Sequence, residues 1–166
     1  MIELLVVLAV LAVVTTMAMP SLADLARRRS LEGAAAELAA DLRLARSQAS
    51  RLHQAVHVSF YSRADGDCYV VHTGGDDACP CAMTAATACT GDASAVKTVR
   101  LAAPNGPSLR ANVASMLFDA RNGTNAHAGT VALLDASGRG IHQVVNAMGR
   151  VRSCSPQGTV PGYRPC

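Results

Sequence analysis

Gly149, Arg150, Val151 and Arg152 stand near the C-terminus, in a stretch that holds no acid after Asp135. On an extended strand, residues two apart project to one face about 6.6 Å apart. Arg150 and Arg152 are therefore expected side by side, with Val151 turned into the core. A guanidinium donates two parallel hydrogen bonds and never loses its charge, which suits a pair of them to gripping phosphates. Gly149 permits a bulge or a close backbone approach beside them. The plainer reading is a solvated strand face with two ordinary arginines.

Other residue types offer less. His53, His57, His72, His127 and His142 never fall into a metal-ligand spacing with acids or cysteines, and no Gly-x-Ser-x-Gly, phosphate loop or paired-carboxylate arrangement occurs. Catalysis is not expected, and no cofactor is called for. His142, near the basic strand, could add to a phosphate contact at low pH, or be idle. Asn122-Gly123-Thr124 fits a glycosylation pattern and reads more simply as a turn.

Six cysteines (Cys68, Cys79, Cys81, Cys89, Cys154, Cys166) in so small a chain favour an oxidising compartment and a disulfide framework. Cys154 with Cys166 is the expected pair, because both lie in a Gly/Pro-rich tail that would otherwise fray. Their bridge would keep Arg164 beside Arg150 and Arg152. A metal site on Cys79, Cys81 and Cys89 is the competing reading, although it lacks a second Cys-x-x-Cys or a suitably spaced His.

These residues need elements to hold them. At 166 residues the chain suits one domain with an appendage. With 3 Tyr, 2 Phe and no Trp, its core must be built from Ala, Val, Leu and Ile. The same poverty argues against stacking on bases, which single-strand binders need. The net charge of +3 is modest but uneven. Basic residues outnumber acids from Lys97 onward, while Asp65, Asp67, Asp76, Asp77 and Asp92 gather in the middle.

Residues 2–19 form an apolar run broken by Glu3, Thr15 and Thr16, and would span roughly 27 Å of hydrocarbon as a helix. It lacks the basic start and cleavage site of a secretory signal peptide. Leu31, Ala35, Leu38, Leu42, Ala45, Ala49 and Leu52 then recur at steps of four and three, with Glu32, Glu37, Asp41, Arg43, Arg46 and Arg51 between them. That pattern is one apolar stripe on a continuing amphipathic helix. Residues 1–26 thus read as a transmembrane half, 27–52 as an amphipathic half and 53–166 as a β-rich head. The whole helix would be about 78 Å long, kinked near Pro20. Strands are expected at 56–62, 68–73, 97–102, 113–118, 130–134 and 141–153, with a long loop over 74–95. Arg27, Arg28 and Arg29 alone would argue for a cytoplasmic head, against the cysteines.

The opening Met1-Ile2-Glu3-Leu4-Leu5-Val6-Val7-Leu8, with Pro20 ending the apolar run, resembles the N-terminal signature of type IV pilins and type II secretion pseudopilins. A lone carboxylate in an apolar membrane helix is costly and rarely tolerated. The resemblance implies that Glu3 pairs with the N-terminal amine of a neighbouring subunit during assembly. It also implies partners among other type IV pilins or pseudopilins, an inner-membrane anchor and processing of the precursor by a prepilin peptidase. The implied topology puts the head in the periplasm, in agreement with the cysteines, before entry into a pilus or pseudopilus. The family carries a short basic leader ending in Gly, followed by Phe and a few residues ahead of the glutamate; here Met1 sits two residues before Glu3, so the processing site has no number in this sequence.

The long helix leading into strands, and the ending Asn146-Ala147-Met148-Gly149-Arg150-Val151-Arg152-Ser153-Cys154, look like the FimT/GspH group of minor pilins and pseudopilins. The fold implied is α+β, a long N-terminal helix packed on an antiparallel two-sheet β head. In FimT-like members a Gly-Arg-x-Arg motif binds DNA for uptake in natural transformation, and Gly149, Arg150 and Arg152 match it, with Arg164 nearby. Backbone contacts to double-stranded DNA are the binding this implies. A purely structural role, as a pilus-assembly subunit or an H-type pseudopilin, is the alternative.

Overall fold

The computed structural model describes residues 2–81, 87–102 and 106–166, with the backbone alone at Ile2, Leu5, 10–21 and Ala102. One helix leads into eight strands: α1 (Ile2–Leu52), β1 (Val56–Arg63), β2 (Gly66–Thr73), β3 (Ala95–Ala102), β4 (Ser108–Ala111), β5 (Ser115–Phe118), β6 (Gly129–Leu134), β7 (Gly140–Val145) and β8 (Val151–Cys154). The strands form two antiparallel four-stranded sheets, ordered β3-β2-β1-β5 (sheet A) and β4-β6-β7-β8 (sheet B). The architecture is α+β, with the long helix laid across a two-sheet head.

The apolar stripe of α1 explains that arrangement. Leu31, Ala35, Leu38, Leu42, Ala45 and Ala49 are fully buried. They meet Val56, Val58 and Val71 from sheet A and Val131, Ile141 and Val145 from sheet B in one core. The small alanines let the helix approach both sheets closely. Leu52 departs from the expected stripe and is 46% exposed, because it stands in the last turn of the helix. Asp41 departs the other way. Read as part of the polar face, it is buried, accepts the Tyr69 hydroxyl at 2.7 Å and pairs with Lys97 at 2.8 Å. Helix and sheet A are thereby joined by charge as well as by apolar contact. Gln143 of sheet B donates to the Ala35 carbonyl at 3.0 Å.

The helix runs without a break through Pro20 and Gly33. The kink expected at Pro20 and the apolar run of residues 2–19 fall largely where only the backbone is described. Among the described residues no helix is long and apolar enough to cross a membrane.

Two strand readings need correction. Ser108–Ala111 forms a strand that periodicity missed, since Leu109 is its one large apolar residue; the expected strand over 113–118 is confined to Ser115–Phe118. The expected single strand over 141–153 is a hairpin, β7 and β8. All of β2 is buried because it is covered on both sides, by α1 and by the loop after it. That loop is bridged by Cys68–Cys81 and Cys79–Cys89, which occupies the three cysteines proposed as metal ligands.

Candidate nucleic-acid interface

The turn of the β7–β8 hairpin is built by two residues. Asn146 donates its backbone N–H to the Arg150 carbonyl at 3.2 Å and accepts the Arg150 N–H on Oδ1 at 2.9 Å. Gly149 donates to the Asn146 carbonyl at 2.9 Å from a φ of +70°, a conformation that a Cβ disfavours. A Cβ there would also collide with the Gly123 carbonyl oxygen and lie 3.3 Å from Arg46 Cδ. Asn146 and Gly149 were the signals of a turn within the expected strand. Arg150 consequently leaves the turn just before β8, and Arg152 lies on β8 itself. Val151 between them is half-buried at the margin of the core.

A residue not singled out in the sequence supports this turn. Arg46 of α1 runs its stem beneath two glycine turns and donates Nη1 to the Gly149 carbonyl at 3.5 Å. The second turn is at Gly123 (φ +59°), where a Cβ would come 2.9 Å from Arg46 Cγ. Asp119 in that loop accepts the Arg121 and Asn122 amides at 2.8 and 3.2 Å, and these hydrogen bonds hold its carboxyl below the usual range. Asn122-Gly123 is thus a turn. The Asp119 charge is directed into its own loop rather than toward the arginines.

Arg150 and Arg152 are exposed, and no carboxylate among the described residues pairs with either. Together with Val144, Asn146 and Val151 they line a cleft of about 490 Å³. In the register of the hairpin, Arg152 lies opposite Val144 and Val151 opposite Val145. Val145 is in the core, so Arg152 and Val144 face outward. His142 shares that outer face, and burial pushes its pKa down, so it is neutral near pH 7.

Arg164 is held elsewhere. Its carbonyl accepts the Ser155 N–H at 2.9 Å, and Cys154 is bridged to Cys166. Ser155 is three residues beyond Arg152, about 10 Å along an extended chain. The tail therefore carries the Arg164 backbone at the far end of β8 and not beside the pair. Glu3, exposed in the first turn of α1, is about 65 Å from Arg46 along the helix.

A polar cluster also lies on the loop-covered face of sheet A. Ser59 Oγ and His72 Nε2 are 2.9 Å apart, His57 Nδ1 is 2.9 Å from Asp76, and Ser115 also bonds Asp76. Ser59 and His72 are 2% and 0% exposed. A hydroxyl so enclosed presents no face to a substrate, and the cluster pins the loop to the sheet.

The model of the family described as type II transport protein GspH matches residues 34–149, more than half of the chain. Two crystal structures of the type IV minor pilin FimU from Pseudomonas aeruginosa (strain PAO1) share the fold at 21% identity. In space group P21 the match covers 78% of this chain and 95% of FimU with a TM-score of 0.56. In space group P65 it covers 76% and 98% with a TM-score of 0.52. No curated protein matches. With the pilin architecture on one side and the family match from the amphipathic helix to Gly149 on the other, the chain belongs to the GspH family.

Proposed function

We propose that the chain is a low-abundance, non-enzymatic type IV minor pilin that binds double-stranded DNA through Arg150 and Arg152 for uptake in natural transformation. The observation that carries this reading is the hairpin turn itself. Asn146, Gly149 and Arg46 brace a short segment whose only large polar side chains are two exposed arginines without an acidic partner among the described residues. Such a segment fits weak, sequence-tolerant and salt-sensitive contact with phosphates. The N-terminal part of α1 serves as a single-pass inner-membrane anchor, with the head in the periplasm and then in a pilus. The three disulfides of the head support an oxidising compartment. Glu3 is the assembly residue, other pilins are the partners, and a prepilin peptidase processes the precursor.

The second reading is a structural pseudopilin of type II secretion, which the name of the matched family favours. Binding of a mixed-sequence duplex by the full chain in detergent, followed across a salt series, separates the two. The double change Arg150→Gln, Arg152→Gln is expected to weaken binding on every sequence alike and to flatten the log-log salt slope by about two. An unchanged slope, or a wild-type chain that binds no duplex at low salt, favours the secretion reading.

A further inference from the structure

Sheet B carries its charge on one side. Arg110 of β4 pairs in register with Ala132 of β6, Ala132 with His142 of β7, and His142 with Cys154 of β8. One row over, Thr130 pairs with Val144 and Val144 with Arg152. Residues opposite each other across an antiparallel sheet share a face, so Arg110 and Arg152 lie on the same outer face, at its two edges. Both are exposed, whereas Thr130, Ala132, His142 and Val144 between them are half-buried and keep the centre low. None of the four strands contains an acid. The acids at its margin are engaged: Asp67 accepts the Leu109 amide at 2.6 Å, and Asp135 pairs with Arg139 at 2.8 Å. Arg139 is itself spent, since it also pairs with Asp24 at 2.8 Å. No ion pair among the described residues engages Arg110.

Three strand spacings separate β4 from β8, about 14 Å. A single nucleic-acid backbone following β8 meets Arg150 and Arg152 and leaves Arg110 untouched. A duplex presents a second backbone across a groove about 12 Å wide on the major side. We infer that the outer face of sheet B is a duplex-binding platform that straddles a groove, with Arg150 and Arg152 on one strand and Arg110 on the other. The inference rests on the DNA-binding reading and adds to it a third phosphate contact and a preference for duplex over single strand.

The test uses the full chain in detergent with a mixed-sequence duplex and, separately, one of its strands. Arg110→Gln is expected to weaken duplex binding severalfold and reduce the salt slope by about one. Its effect on single-strand binding is expected to be absent. Arg29→Gln, a change at an exposed α1 residue about 25 Å along the helix from Arg46, controls for net charge. If Arg110→Gln leaves duplex affinity and slope unchanged while the Arg150/Arg152 double variant loses both, the platform falls and the motif reading stands. Equal losses on duplex and single strand, or a loss matched by Arg29→Gln, also overturn the straddling geometry. A wild-type chain without DNA affinity removes both readings.

Discussion

His72 shows how one buried side chain makes stability depend on pH. It is fully buried against the disulfide loop, stacks on His57 with ring centroids 5.4 Å apart, and is held between Ser59 and the Thr73 carbonyl. Burial pushes its pKa below the ordinary 6.5. The unfolded chain therefore takes up a proton as pH falls through that value while the folded chain does not. The stability due to neutral His72 is full above about pH 6.5 and is lost as pH falls toward the lower folded value. Asp76 behaves differently, because the Ser115 hydrogen bond, against burial and with help from His57, holds its carboxyl below 3.8. Its contribution is lost only in stronger acid. Thermal melting between about pH 7 and pH 5 is thus expected to fall more steeply for the wild type than for His72→Gln. Parallel curves would contradict this assignment.

Between elements, the C-terminal tail is the segment least able to hold itself. Residues 155–166 have one short 3-10 turn at Pro156–Gly158 and otherwise depend on a few anchors. Ser155 is buried and bonds the Gly140 carbonyl at 2.9 Å, and Val160 is buried in the core. Arg28 of α1 donates to the Pro161 carbonyl at 3.3 Å. The Cys154–Cys166 bridge closes this loop over a separation of 12 residues. Replacing either cysteine with Ser is expected to cost about 2 to 4 kcal/mol, mostly by freeing the unfolded chain. Denaturant melts read the loss. Hydrogen exchange should show the tail amides opening locally, while the β1–β2 amides lose no more protection than the fall in global stability; two free, alkylatable thiols in the oxidised wild type would contradict the bridge. The β7–β8 hairpin behaves otherwise, since Asn146, Gly149 and Arg46 hold its turn without a disulfide.

Across the whole molecule, α1 separates the two proposed sites. Its N-terminal end carries Glu3, and its C-terminal end carries Arg46 beneath the arginine-bearing turn. The head is tied to the helix along its length by Arg139–Asp24, Gln143–Ala35 and Lys97–Asp41. A change at Glu3 therefore leaves the head intact. Glu3→Ala is expected to leave the protein in the membrane but strongly reduce its incorporation, because an apolar residue makes a span cheaper while deleting the charge offered to a neighbouring amine. Immunoblots of membranes and of sheared pili measure the two quantities. Wild-type amounts in the sheared fraction would remove the assembly role from Glu3.

Periodicity determined the helix and the strand-rich head: a stripe at steps of four and three can be buried only against something wide and apolar, and the β-branched runs after Leu52 supply strands, while the two-sheet arrangement was what the family resemblance implied. The residue types of the arginine motif were equally legible, because charge and spacing are properties of the chain. What surrounds the motif was not. Asn146 and Gly149 mark locally the turn that divides 141–153, but the packing of Gly149 on Gly123 and Arg46, 26 and 103 residues away, belongs to the tertiary structure. Asp41 looked like surface until Tyr69 and Lys97 closed over it. Arg110 acquired a place only when β4 joined the sheet of β8. A face shared by residues 110 and 152 is set by pairing register between distant segments, and tertiary structure alone decides that register.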